Sequence, residues 1–285
     1  MNKRTLIIIA LTIISIAAKA QIAKVDGVTY LLKQVSKTAE VRPGNHVGDL
    51  KIPETVSYEG EAYKVTAVAD GAFKNCNELH SIVLPKFMTK IGNQAFCWCS
   101  DLTTVTIPST ITEIGDSAFF ECVSITKFVQ TGSTATNKIS SSKRSGRSAP
   151  SSASTASGGI YLPALTYLGE KAFYGCKNVS AIKNLGSIKE IKELTFYRCS
   201  SLTAVNIPNS VTNIGKEAFK YCSSLEYVNI FSKDVELGSG VFNYCGKLKN
   251  IAIYKDAQIK CQNYDSSYVY PITERYRDKV VYMEE

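Results

Sequence analysis

Apolar and polar positions alternate in short bursts along most of this chain, and the bursts return every 23 residues. The segment Ser100–Cys122 holds one complete unit. Leu102, Val105 and Ile107 are spaced so that Thr103–Ile107 can form a short strand, with side chains pointing alternately into and out of a coil. Pro108 cannot donate to a ladder, so the strand ends there and the chain turns. Ile111 and Ile114 point inward again, and Gly115 is read as supplying a backbone conformation closed to other residues. Asp116-Ser117-Ala118-Phe119 reads as one capped helical turn that places Phe119 and Cys122 on the same inner face.

The same phase holds elsewhere. Cys76, Cys99 and Cys122 are 23 apart, as are Cys176, Cys199, Cys222 and Cys245. The gap from Cys122 to Cys176 is 54 residues, one period plus 31. A Phe precedes each of these seven cysteines by three positions, from Phe73 to Phe242. Gly92, Gly115, Gly169 and Gly215 precede one by seven, and Leu-Pro or Ile-Pro recurs at residues 84–85, 107–108, 162–163 and 207–208. One coil cannot bury its own apolar residues. About seven coils stacked ~4.8 Å apart would bury them as continuous columns, so the pattern predicts a repeat solenoid with one short β-strand per unit and short helical or 3-10 turns on the other side.

The units resemble the bacterial BspA-type leucine-rich repeat, whose pattern is roughly LxxVxIPxxVxxIGxxAFxxC. Those ending at Cys99, Cys122, Cys222 and, around its insert, Cys176 match most closely. The unit ending at Cys199 departs, with Leu185-Gly186, Lys192 and Thr195 in the key positions; the unit ending at Cys245 lacks the Pro. The resemblance covers roughly residues 50–260. It implies a leucine-rich-repeat-like right-handed coil, and a family setting of cell-surface and host-matrix contacts.

The ends and one interruption break the period. Residues 21–49 carry a hairpin-like run with Asp26-Gly27 at its turn and are read as an N-terminal cap, ahead of a solenoid at 50–260. Residues 261–285 are rich in Tyr and read as a C-terminal cap or tail, although Arg275, Arg277 and Lys279 would equally suit a solvated end. Of the 30 residues 130–159, ten are Ser and none is acidic, so this insert is expected to be disordered and to leave as a loop from one strand end. A tethering or polyanion-touching arm, a protease-sensitive site at Lys143-Arg144 and a tolerated surface insertion are the readings of it.

The first twenty residues read as a signal peptide. Met1–Arg4 is basic, Leu6–Ala18 is a 13-residue apolar run, and Ala18-Lys19-Ala20 offers a small-x-small site with cleavage after Ala20. That run is short of the ~20 residues a membrane span needs. No Cys occurs before Cys76 to carry a lipid. The expected address is secreted or cell-surface, with the periplasm as the alternative and no integral span after cleavage. Of the formal charge of +8, three units come from Lys3, Arg4 and Lys19, and four from Lys138, Lys143, Arg144 and Arg147, which leaves +1. No basic face remains for nucleic acid.

Catalytic chemistry is not recognisable in the sequence. There are two His, His46 and His80, and no HExxH, P-loop, GxSxG or dinucleotide motif. His80 follows the inward Leu79 and is expected on an exposed rim. Glu113, Asp116, Glu170 and Glu217 fall at scattered outward positions, and no cofactor or metal is implied. Seven of the nine Cys share one inward phase and are read as a mostly reduced column, while Cys97 and Cys261 are out of phase and are either exposed thiols or paired ones.

Function is therefore sought on the outward strand positions, five and seven residues past each ladder Cys. Candidate binding residues there are Thr104, Thr106, Lys127, Lys183, Asn206, Tyr227 and Asn229. This stripe is small and polar, with Tyr227 as its single aromatic anchor, and it suits a protein or glycan ligand at the cell exterior. The leading reading is an exported binding or adhesion protein. An envelope-associated spacer and a glycan-active enzyme are the alternatives, and the oligomeric state is left open.

Overall fold

The computed structural model describes residues 20–131, 159–262 and 269–283. The signal-peptide reading up to Lys19 and the insert reading over 132–158 lie outside the described residues.

The described residues begin with β1 (Ala20–Val25) and β2 (Val28–Lys33), which pair antiparallel across Asp26-Gly27. Both turn residues have positive φ, 48° and 80°, as a two-residue hairpin requires. β3 (Thr38–Val41) pairs antiparallel with β2. β4 (Gly48–Lys51), β5 (Thr55–Tyr58) and β6 (Glu61–Val68) follow, and β3 pairs parallel with β6. From there the coils stack in parallel as far as the tail, whose first strand pairs antiparallel with the last coil.

Each regular coil then contributes two strands rather than the one expected. β7 (Leu79–Val83) is followed by the two-residue β8 (Lys90–Ile91), and β9 (Thr104–Pro108) by β10 (Glu113–Ile114). β11 (Lys127–Thr131) and β12 (Gly159–Tyr161) flank the insert, with β13 (Tyr167–Leu168) after them. The alternation continues through β14 (Ala181–Asn184), β15 (Glu190–Ile191), β16 (Ala204–Ile207), β17 (Asn213–Ile214), β18 (Tyr227–Ile230) and β19 (Asp234–Leu237). β20 (Asn250–Tyr254) and β21 (Gln258–Gln262) make the last coil. The extra short strands exist because Ile91, Ile114, Leu168, Ile191 and Ile214 are fully buried or nearly so, and each pairs in register with its counterpart in a neighbouring coil. The tail adds β22 (Val269–Pro271), α1 (Ile272–Arg275) and β23 (Val280–Met283), and β23 joins β20 in parallel.

The helical turns expected before each ladder Cys are absent. α1 is the only helix among the described residues, and it is not long and apolar enough to cross a membrane. In the turn ending at Cys99, Gln94 and Trp98 hold φ of 53° and 64°, and their N–H groups donate to Asp116 and Phe120 of the next coil. Phe96 likewise donates to Ala118, while Ala95, Cys97 and Cys99 donate three residues back within the turn. Donors thus alternate between the next coil and their own, a pattern no helix permits. Asp116, expected to cap a helix, instead accepts the Glu170 N–H of the following coil at 2.8 Å. The sequence spacing i, i+3 does place Phe and Cys together, but the left-handed residues Gln94 and Trp98 make the turn a folded ribbon.

Gly115 is a second correction. Its φ is not positive; the residue is Gly because a Cβ there would meet the backbone of Asn93 and Gly92 in the preceding coil. Close approach of coils, not backbone freedom, selects it.

The core is a set of columns. The rings of Phe73, Phe96, Phe119, Phe173, Phe196, Phe219 and Phe242 stack at 5.0–5.7 Å with interplanar angles of 2–20°. Beside them each ladder thiol from Cys99 onward donates to the carbonyl of the ladder Phe one coil earlier, at 2.9–3.3 Å. Cysteine suits the position because it is small and apolar and still supplies a weak donor to a buried carbonyl. All nine thiols are free and buried, Cys97 and Cys261 included, so neither of those two is exposed or paired. Burial pushes Cys245 and Cys261 from 9.0 up to about 12, and Cys122, Cys176, Cys199 and Cys222 well upward. Folded-state values above the unfolded ones stabilise the fold fully below about pH 9, and that contribution is lost as the pH climbs toward about 12. Urea midpoints are expected to be level up to about pH 8 and to fall above 9; a midpoint that stayed level to pH 11 would contradict the buried protonated column.

Candidate binding surface

The long strands form two sheets, not one. β4, β7, β9 and β11 make a four-stranded sheet, and β12, β14, β16, β18, β20 and β23 make a six-stranded one. The four-stranded sheet ends at β11 and the six-stranded one begins at β12, so the division falls between Thr131 and Gly159. The partly buried Phe128 of β11 fills the junction, edge-on to Phe119 at 5.7 Å and to Phe173 at 5.8 Å. The turn side is not interrupted there, because Ser117, Phe119 and Glu121 donate straight across to Glu170, Ala172 and Tyr174.

This division separates the candidate residues. Thr104, Thr106 and Lys127 lie on the four-stranded sheet, where Ser81, Thr104 and Lys127 stand side by side in successive strands. Lys183, Asn206, Tyr227 and Asn229 lie on the six-stranded sheet. The register there pairs Ala204 with Tyr227 and Asn206 with Asn229, and the Asn229 amide donates to Asn206 Oδ1 at 2.8 Å. Tyr227 is 37% exposed. Lys249 stands 5.7 Å from its ring centre while bonded to Glu226 at 2.7 Å. That bond draws the Glu226 carboxyl down and the Lys249 ammonium up. Lys183 lays its stem over Gly159, the first residue of β12.

At the C-terminal ends of these strands the six-stranded sheet bears an open groove. One part, of about 410 Å³, is lined by Lys183, Asn184, Asn206, Pro208 and Asn209 together with Phe231 and Tyr254. A second part, of about 480 Å³, shares Asn209, Phe231 and Tyr254 and reaches Lys233. Two of the sequence candidates, Lys183 and Asn206, therefore line a concave feature, whereas Thr104, Thr106 and Lys127 line none of the cavities described here.

The opposite, turn side carries a feature that inspection of strand positions missed. Trp98, Phe120, Tyr174, Tyr197, Tyr221 and Tyr244 form a continuous outer ring ladder with centroids 4.5–5.4 Å apart. The signal was present as an aromatic one or two residues before six of the ladder cysteines. Most of these rings stack face to face along the solenoid and so turn their edges to solvent. Lys220 lies 5.5 and 5.8 Å from the rings of Tyr221 and Tyr244 and bonds Glu217 at 2.9 Å. Such stacking contributes about 0.5–1.5 kcal/mol per pair. Tyr197→Ala, which breaks two contacts, is expected to lower stability by about 1–3 kcal/mol in urea unfolding, without affecting binding at the opposite sheet.

The acids considered for catalysis are engaged structurally. Glu113 bonds Lys90 at 2.7 Å, Glu170 bonds Lys171, and Glu217 bonds Lys220. His80 is exposed. His46 lies 5.2 Å from Phe73, its pKa lowered by burial and by Lys24. No cluster of three metal-ligating side chains occurs among the described residues.

The model of the BspA-type leucine-rich repeat region matches residues 62–143 and 155–267, in six copies. The chain belongs to this family. Among solved structures, the T. pallidum leucine-rich repeat protein is similar at 22% identity over 80% of this chain and 87% of that one, with a TM-score of 0.55. A leucine-rich repeat protein of Bacteroides ovatus matches at 19% identity over 86% of this chain and 77% of its own, with a TM-score of 0.41. No curated protein matches. The first likeness shows the shared fold, and the BspA-type repeat accounts for the columns of Phe, Cys and Gly. The aromatics Phe231 and Tyr254 are not part of that pattern.

Proposed function

We propose that this BspA-type repeat protein is an exported binding protein that takes a protein or glycan partner on the outward face of its six-stranded sheet. The observation that carries this is the face itself: the hydrogen-bonded Asn206–Asn229 pair, an exposed Tyr227 and an open groove occur together on that sheet. Its rigidity suits recognition, because each outward side chain is fixed by a strand whose inward neighbours are fully buried. Export rests on the basic, apolar and small-x-small order of the first twenty residues. Mass spectrometry of the protein from the culture medium or the cell surface is expected to find Gln21 as the N-terminus, and an intact Met1 in the cytosolic fraction would overturn export. Binding is tested by probing a panel of matrix proteins and glycans with the full chain. A saturable ligand lost on Tyr227→Ala is expected; no saturable ligand, or one indifferent to every change on this sheet, argues against the proposal and leaves the spacer reading.

A further inference from the structure

We infer that the groove at the ends of β14, β16, β18 and β20 is an oligosaccharide site, an assignment that rests on the reading of this sheet as a binding surface. Its walls depart from the repeat in one informative way. The position nine residues past the ladder Cys is Pro in regular coils, as in Pro85, Pro108 and Pro208. In the last two coils it is Phe231 and Tyr254, both partly exposed and lining the same groove. Pro at this position ends the strand, and nothing in the core calls for a ring there. A local departure from the rule, exposed to solvent, marks function more readily than packing.

The polar partners fit hydroxyl chemistry. An amide offers a donor and an acceptor together, as a pair of sugar hydroxyls requires. Asn206 uses its Oδ1 for Asn229, and among the described residues its NH2 has no protein partner. The Asn209 amide is exposed and has none either. Asn184 is committed to the Gly186 N–H at 2.7 Å and serves as wall. On the rim Lys233 is bonded to Asp256 at 2.8 Å and stands 5.5 Å from the Tyr254 ring, so this charge is balanced beside the platform. The volume falls within the ~300–1,000 Å³ usual for small-ligand sites. A protein partner would favour an apolar centre ringed by polar groups, whereas here an open trough is lined by amides at the ends of β14 and β16 and by rings at the ends of β18 and β20. The face of Tyr254 or Phe231 would take the C–H side of a sugar ring, and Asn206 and Asn209 its hydroxyls.

The test is a glycan array followed by saturation-transfer NMR and calorimetry with the full chain. Saturable binding of an oligosaccharide is expected, weakened at least tenfold by Tyr254→Ala or Phe231→Ala and several-fold by Asn209→Ala. Thr106→Ala, on the other sheet, should leave it unchanged. Asn209 is exposed, so its variant reports on the site even where a ring variant lowers stability. Saturable binding of a matrix protein that depends on Tyr227 but ignores all three groove variants, with no glycan bound, overturns this assignment and leaves the binding reading standing. Absence of any saturable ligand, protein or glycan, removes both.

Discussion

Replacing Phe196 by Ala is expected to cost about 3–5 kcal/mol of folding stability, the range for truncating a fully buried aromatic. The ring is wholly inaccessible and sits between Phe173 at 5.5 Å and Phe219 at 5.3 Å, nearly parallel to both. Its loss removes two stacking contacts and opens a cavity that neighbouring coils cannot fill, because each Phe is pinned by hydrogen bonds from its own backbone to the next coil. The Phe196 carbonyl also accepts the Cys222 thiol, so the disturbance reaches the adjacent column. Contacts in a solenoid run only between neighbours, so the coils on either side of the gap are expected to lose cooperativity. Urea unfolding followed by circular dichroism should show a lower midpoint and a broadened or split transition. A variant that melts like the parent would mean that the column is not the source of the stability.

Gly169→Ala is expected to cost about 2–3 kcal/mol, the upper part of the overpacking range. The added methyl would fall on the Asp116 nitrogen and the Gly115 carbonyl carbon, both backbone, so it cannot be relieved by turning a side chain. The coils would have to separate where Thr166, Tyr167 and Gly169 bond the preceding one. Gly27→Ala provides the contrast. That residue has φ +80° with open space around its Cβ, so its expected cost, about 1 kcal/mol, comes from conformation alone. Equal losses at the two positions in thermal unfolding would refute the distinction between close approach and backbone freedom.

Much of the fold was legible because a period of 23 repeats its own evidence. Phe, Cys, Gly and Ile-Pro positions each recur in phase, and burial follows them coil by coil. The turn conformation was less legible. A helical turn and a ribbon with left-handed residues at Gln94 and Trp98 both bring Phe96 and Cys99 to one side, and the deciding bonds go to another coil. The short strands were hidden for a similar reason: two residues such as Glu113–Ile114 carry no alternation of their own. The role of Gly115 depends on a neighbour 22 residues away, which local reading assigns to φ instead. For the surface, strand phase placed Asn206 opposite Asn229 correctly. It could not show that β11 and β12 end two separate sheets, nor that Asn209, Phe231 and Tyr254, beyond the counted positions, border the same groove as Lys183.

The most direct test of the account is to map binding over three faces with a ligand taken from the panel. Asn229→Arg changes the six-stranded sheet, Thr104→Arg the four-stranded sheet and Tyr197→Arg the ring ladder. Affinity measured by calorimetry is expected to fall at least tenfold for Asn229→Arg and to stay within twofold for the other two. Loss of binding with Tyr197→Arg or Thr104→Arg, while Asn229→Arg binds like the parent, would contradict it.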